Sequence, residues 1–394
     1  MTIHVPGMTA GLAYTPNMVY IFKNKIKNVN QTITDGDADM IGERLLRARK
    51  AAGLSLRALA EQVGVSPTAI NKYEKGELTP SSGQLLKLAK VLGVRTEYFL
   101  RPTTLQLEGV EYRKRSSTPQ KFLDQIAADV TDQAERWIEL LGLYPQPPIP
   151  KFTLPDGLPQ EVAGDAQIEA VAELIRDKWA LGSNPIPDLI DTLESRGVMV
   201  LVTAIEDCAK FDGLAASADG MPVIVVAKEW PGDRQRFTLA HELGHLVLHG
   251  RLAAGLDEEK ACNHFAGAFL LPRQEVIKQI GQHRNALEAR ELYMLKQEFG
   301  ISMLGALFRI KQAGIISETM SKNWFMEFSK RGWRKTEPGD QYRPEDTYLF
   351  EGLVYRALAE GYIGDSKAAE LLKISLMRFK SDRQLESAHA ATDQ

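Results

Sequence analysis

Two cysteines, Cys208 and Cys262, are all that the 394 residues contain. They are too few for a disulfide framework and lack the paired spacing of a thiolate zinc site. The chain therefore fits a reducing cytoplasm, and any metal it holds must be bound by His and carboxylate. No apolar run approaches the roughly 18 residues needed to span a bilayer, and the first 20 residues lack both the basic start and the compact apolar stretch of an export signal. Neither a membrane-spanning helix nor export is therefore expected. Nor does one sign of charge dominate, because 48 Lys and Arg stand against 51 Asp and Glu for a net −3. No internal repeat or low-complexity tract is visible. Histidine is scarce, with seven in the chain, yet four of them crowd into residues 241–264.

What is present is enough for folded domains. At 44% hydrophobic residues over this length, the chain has material for two or three cores. Its small net charge hides an asymmetry. Residues 41–102 hold eleven Lys and Arg against five Glu, a local +6 that leaves −9 on the remainder. The basic part is where a polyanion would bind.

Residues 1–39 show little periodicity and are expected to be a disordered leader, with Met40 directly before the amphipathic pattern IGERLLRARKAAG. From 40 to 102, short helical segments separated by turn signals at Gly53, Gly64, Gly76 and Gly93 predict a compact five-helix bundle. Residues 103–159 read as a connecting helix, PQKFLDQIAADVTDQAERWIELLGL, followed by a proline-rich linker, YPQPPIPKFTLPDGLP. A second domain is expected over 160–335. It opens on a helix, QIEAVAELIRDKWAL, and then a small antiparallel sheet made of GVMVLVTAI and two strands around an Asp219-Gly220 turn. The segments DRQRFTLAHELGHLVLHG and DEEKACNHFAGAFLLP read as helices closed by Gly250 and Pro272. Residues 336–394 are expected to be a helical C-terminal region with a disordered tail. Both FGISMLGALFRIKQAG and SKAAELLKISLMRFK have the shape of a helix pair around a tight turn. The fold class is thus mainly α with a small antiparallel sheet (α+β).

Residues 53–94 have the grammar of a helix-turn-helix. Ser55 caps a helix with Leu56, Leu59, Ala60 and Val63 on its inner face, Gly64 makes the turn, and Ser66 caps a second helix with Pro67 at its first position. With Ile70 and Tyr73 turned inward, Thr68, Asn71 and Lys72 face outward and, with Ser66 at the helix start, are expected to contact DNA, where such a helix meets base edges and phosphates in the major groove of the double strand. These residues resemble the Cro/434-repressor-like (XRE) helix-turn-helix family over about sixty residues. The competing reading is a bundle that contacts only protein, and the local +6 charge weighs against it.

In AHELGH, His241 and His245 are four residues apart and project from one face of a helix, with Glu242 beside them. Chance places such a motif in about one chain of this length in a hundred. Two neutral imidazoles can bind one Zn²⁺, and a catalytic zinc needs a third protein ligand and an open position for water, whose proton an adjacent carboxylate takes. Glu242 is placed to be that base. The longer pattern HExxHxxGxxH fails, because Leu248 and Arg251 stand where it requires Gly and His. A following helix offers Glu258 and Glu259. Glu259 is favoured because it shares a face with Asn263, which would lie one turn behind to hydrogen-bond a ligating imidazole. Phe265 and Phe269 point into the core. His249 and His264 are expected to be ordinary, partly exposed histidines.

RFTLAHELGHLVLH followed by EEKACNHFAGAFLLP resembles the ImmA/IrrE family of gluzincin-like zinc metallopeptidases, over roughly residues 165–315. The resemblance implies zinc on His241, His245 and Glu259, with Glu242 as base. It also implies cleavage of a helix-turn-helix repressor, since studied members derepress genes of mobile elements or of the DNA-damage response. Fusion to a repressor-like N-terminal module recurs in that family, often beside toxin–antitoxin or stress genes. The expected protein is a cytoplasmic, DNA-bound regulator with a zinc endopeptidase domain, a protein substrate and no membrane partner; the module leaves room for a homodimer. The other reading is a non-proteolytic transcription factor or antitoxin that uses the peptidase fold as a sensor or partner surface. Glu242 weighs against it, because a purely structural zinc site needs no base.

Overall fold

The computed structural model describes residues 35–101, 105–114, 119–204 and 211–385. Most of the expected leader, the tail from 386 and Cys208 lie outside the described residues. The described residues fall into two compact units divided near Thr103.

The first unit is all helical. It comprises α1 (Asp35–Ala51), α2 (Leu56–Val63), α3 (Pro67–Glu74), α4 (Ser82–Leu92) and a 3-10 helix (Thr96–Leu100). Helix α1 begins at Asp35, inside the stretch expected to be leader. Ile41, Leu45, Leu59, Val63, Ile70, Leu88 and Phe99 form its core. Gly64 ends α2 in the left-handed region at φ 79°, a conformation glycine adopts without a Cβ clash. Its N–H returns to Ala60 O, and the chain can then turn at once into α3.

The second unit is built around a four-stranded mixed sheet in the order β1 (Leu107–Lys114), β3 (Phe211–Ala218), β4 (Met221–Ala227), β2 (Met199–Thr203). β3 and β4 form the expected hairpin, with Asp219 and Gly220 both at positive φ. The sheet differs from the expected antiparallel one in two ways. β2 pairs parallel with β4, Met199 opposite Val223 through Thr203 opposite Ala227. This accounts for the apolar runs MVLVT and VIVVA, since a strand covered on both faces has no polar alternation. β1, from a segment read as connecting chain, adds antiparallel to β3 with two register shifts.

The two faces of the sheet carry separate cores. Val200, Ile224 and Val226 face α6 (Asp165–Lys178), α7 (Leu189–Glu194), α8 (Gly232–Leu248), α9 (Glu258–Leu270), α10 (Arg273–Ile280), α11 (Ala289–Phe299), α12 (Met303–Gln312) and α13 (Glu318–Lys330). Met199, Leu201, Val223 and Val225 face α5 (Gln120–Gly142), α14 (Leu349–Ala359), α15 (Asp365–Leu371) and α16 (Leu376–Arg383).

The units divide before the proline-rich stretch, not within it. Helix α5 buries Ile126, Val130, Ala134, Trp137 and Leu140 in the core on the sheet, so it belongs to the second unit. The stretch after it lies on that unit too: Tyr144 Oη donates to Leu353 O at 2.6 Å, and Phe152, Leu154 and Leu158 pack on the first of the two cores. Prolines exclude regular structure here, but the apolar residues between them still find a surface. Among the described residues, no helix is long and apolar enough to cross a membrane.

Candidate functional site

Helix α8 enters its core after Pro231 and is held at its first turns by buried charge. Arg236 donates to Ile186 O at 2.9 Å and forms an ion pair with Glu345, whose carboxylate also accepts from Leu189 N and Ile190 N at 2.8 and 2.9 Å. Burial raises the Glu345 carboxyl, and Arg236 works against that rise. The next turns carry the histidines. His241 is 1% exposed and Glu242 5% exposed, so both lie under protein at the centre of the helix.

Helix α9 is capped by the Asp257 side chain, which accepts from Lys260 N at 3.0 Å, and opens with Glu258 and Glu259 in its first turn. Its approach to α8 is close because Gly244 has no side chain. A Cβ there would stand 3.1 Å from Phe265 Cδ1 and 3.3 Å from Cys262 Cα. The glycine between the two histidines thus brings the start of α9 within reach of them.

The result is a converging donor set. His241 Nε2 and His245 Nε2 lie 3.0 Å apart, and the Glu259 carboxylate is 3.5 Å from the first and 3.3 Å from the second. One ligand atom from each residue falls within 4.8 Å of the others, and this is the group among the described residues that could hold a metal ion. The donors fit such an ion. His241 Nδ1 donates to Asn263 Oδ1 at 3.0 Å, which leaves Nε2 unprotonated and aimed at the shared point. Glu259 is 66% exposed, so the third donor stands at the solvent side.

Glu258 and Glu259, adjacent in sequence, approach different nitrogens of His245. Glu258 Oε1 lies 3.3 Å from His245 Nδ1 and 3.8 Å from His249 Nδ1, on the far side of the histidine from the shared point. The sequence offers Glu258 only as an alternative ligand, and this supporting position behind His245 is additional to it. His249 is 85% exposed, in line with an ordinary histidine. His264 differs from the expectation because it is buried. Its Nε2 is 2.9 Å from Glu169 Oε1, and Arg309 holds both oxygens of the same carboxylate at 2.5 and 3.0 Å. Burial alone would raise the Glu169 carboxyl, but hydrogen bonds from His264 and Arg309 outweigh it and hold it at about 2. The cluster ties α6, α9 and α12 together behind the donor set. Phe265 and Phe269 stack in the core, as expected.

In the first unit, Ser66 caps α3 by accepting from Ala69 N at 3.1 Å, and Ile70 and Tyr73 are buried. Of the four residues expected to meet DNA, Ser66 stands exposed at the N-cap, Thr68 and Lys72 are exposed on α3 and Asn71 is half-buried there.

Fold and site together define a helix-turn-helix protein joined to a domain with a His, His, Glu donor set on a helix pair. Comparison with known families agrees: residues 45–99 match the helix-turn-helix model and residues 194–311 the peptidase model described as IrrE N-terminal-like domain. The chain therefore carries an XRE-type helix-turn-helix and an IrrE/ImmA-like peptidase-family domain. It is 36% identical over 69 residues to the SPbeta prophage-derived uncharacterized HTH-type transcriptional regulator YonR of Bacillus subtilis (strain 168), covering 18% of this chain and 64% of that protein. It is 34% identical over 79 residues to repressor protein C2 of Salmonella phage P22, covering 20% and 36%. It is 33% identical over 60 residues to the HTH-type transcriptional regulator ImmR of Bacillus subtilis (strain 168), covering 15% and 47%. The chain thus spans less than two thirds of the length of each of these relatives.

Proposed function

We propose that this helix-turn-helix regulator is a cytoplasmic zinc-dependent endopeptidase that cuts a protein substrate, a helix-turn-helix repressor, while its first unit holds double-stranded operator DNA. The observation that carries the reading is the convergence of His241, His245 and Glu259 within 4.8 Å, with Glu242 buried beside them on the same helix.

Zinc held by these three side chains would keep one position open and bring the pKa of a water there down to about 7. Glu242, beside the donor set on the same helix, would serve as the general base that takes a proton from the attacking water and returns it to the departing amine as the C–N bond breaks. Asn263 and Glu258 fix the two imidazole rings from behind. An extended peptide gains backbone hydrogen bonds by adding to a sheet edge, and β1 and β2 are the edges available for it.

The test uses the full chain loaded with zinc and the same chain stripped by chelator, each incubated with repressors encoded beside its gene. Fragments mapped by mass spectrometry are expected with zinc and absent without it. Intact repressors in both samples would favour the non-proteolytic regulator.

A further inference from the structure

The chain repeats one piece of local geometry beyond the helix-turn-helix at its start. In α2–turn–α3, Gly64 is left-handed at φ 79°, Val65 N donates to Ala60 O at 3.0 Å, and the Ser66 side chain accepts from Ala69 N at 3.1 Å. Ile70, four residues past the cap, is fully buried. In α15–turn–α16, Lys373 is left-handed at φ 59°, Ile374 N donates to Ala369 O at 3.0 Å, and the Ser375 side chain accepts from Arg378 N at 3.1 Å. Phe379, four residues past that cap, is fully buried. The correspondence runs position for position. It places a lysine in a backbone conformation that non-glycine residues resist, so the turn itself dictates the geometry.

The same turn also joins α1 to α2, with Gly53 at φ 63°, Leu54 N donating to Arg49 O at 3.1 Å and the Ser55 side chain accepting from Ala58 N at 3.1 Å. It is therefore the exposure of the second helix that separates the uses of this turn. A related turn shows the motif serving only the core. Gly300 at φ 63° ends α11, and the Ser302 side chain caps α12 by accepting from Gly305 N at 3.0 Å. There the second helix buries Met303, Ala306, Leu307, Arg309 and Ile310. Helix α16 is the opposite case, since Phe379 is its buried residue. Met377 is 82% exposed, and on the same helix Lys380 is exposed, with Arg378 and Arg383 also open to solvent.

We infer that α15 and α16 form a second helix-turn-helix, whose outer helix docks on double-stranded DNA. Met377, Lys380 and Ser381 occupy the positions that Thr68, Asn71 and Lys72 hold on α3. The charge suits a polyanion: residues 373–383 carry Lys373, Arg378, Lys380 and Arg383 against Asp382, a local +3 within the acidic part of the chain. Lys373 pairs at 3.2 Å with the largely buried Asp132 and is left out of the test. Two of these cations have partners open to solvent, Asp382 for Arg378 at 3.5 Å and Asp365 for Arg383 at 2.9 Å. Exposed pairs of this kind hold weakly, and a phosphate can replace the acid. Met377 offers an apolar surface of the sort that reads a thymine methyl.

The experiment measures binding of the full chain to a labelled duplex of random sequence by fluorescence anisotropy, from 50 to 200 mM salt. Each phosphate that the protein no longer neutralises should reduce the slope of log affinity against log salt by about 0.9. The variant with Arg378→Ala and Lys380→Ala is expected to have a slope shallower by about 2. Combined with Lys72→Ala on α3, the reductions should add, because the two helices are independent sites. Both positions are open to solvent, so thermal unfolding should match the parent; if it does not, Lys380→Ala alone decides, with an expected change of about 0.9. Parent-like slope and affinity in that single variant, or in a normally folded double variant, would overturn the inference and leave α16 a protein-facing surface.

Discussion

Glu258 and Glu259 sit side by side in the first turn of α9, yet they face different nitrogens of the histidine pair. Glu259→Ala is expected to abolish stoichiometric zinc, because it removes one of three donors. Glu258→Ala should retain zinc with affinity about 10 to 100 times weaker, the usual loss when a group orienting a ligand is removed. Metal analysis after dialysis separates the two, and the reverse pattern would assign the donor to Glu258. A different buried carboxyl sets a pH dependence. Burial, with Asp191 and Asp188 adding negative charge nearby and Leu349 N–H opposing them, pushes Glu194 up to about 8. The folded state therefore keeps its proton where the unfolded chain has lost it. Its contribution is complete below the unfolded value of 4.5 and is lost as pH rises toward 8. Urea unfolding of the parent should lose stability over that window, by up to about 1.4 kcal/mol per pH unit, relative to Glu194→Gln. Parallel stability curves for the two proteins would show that Glu194 does not hold the proton.

Helices α8 and α9 meet at Gly244, and the donor set depends on how closely they pack. Gly244→Ala gains helix propensity of about 1 kcal/mol but overpacks Phe265 and the Cys262 backbone, at a cost of about 1 to 3 kcal/mol. The expected outcome is a Tm lower by a few degrees and weaker zinc binding, read by calorimetry and competition with a chelator. Parent-like values for both would mean α9 can recede without disturbing Glu259. The pattern of what could be read from the chain follows from range. His241, Glu242 and His245 are legible because one helical turn relates them, and Ser66, Ile70 and Tyr73 for the same reason. Glu259 needs a second helix and a shared face with Asn263. The burial of His264 is not legible, because its partner Glu169 lies 95 residues away in sequence. The parallel pairing of β2 and the addition of β1 are likewise non-local. β1 reads LEGVEYRK, whose charges suit a sheet edge but also suit a loop. Proline content at 144–159 points correctly to irregular backbone and says nothing about whether Phe152, Leu154 and Leu158 find a core.

The molecule divides its charge as it divides its structure: +6 lies on residues 41–102 and −9 on the rest. The first unit has its own core, so residues 35–103 expressed alone should fold and bind duplex DNA with affinity that falls steeply with salt. Lys72→Ala should weaken that binding, and a fragment that is helical by circular dichroism yet binds no DNA at 50 mM salt would remove the DNA-reading role. What unites the two units is the proposed proteolysis of a DNA-bound regulator, and that rests on Glu242. The most direct measurement is the intact mass of a candidate repressor after incubation with the zinc-loaded full chain and with its Glu242→Gln variant. The variant is expected to bind zinc and unfold as the parent does, while cleavage falls by at least about 10² to 10⁴-fold, because an amide cannot accept the water's proton. Cleavage at the parent rate by Glu242→Gln would contradict this mechanism.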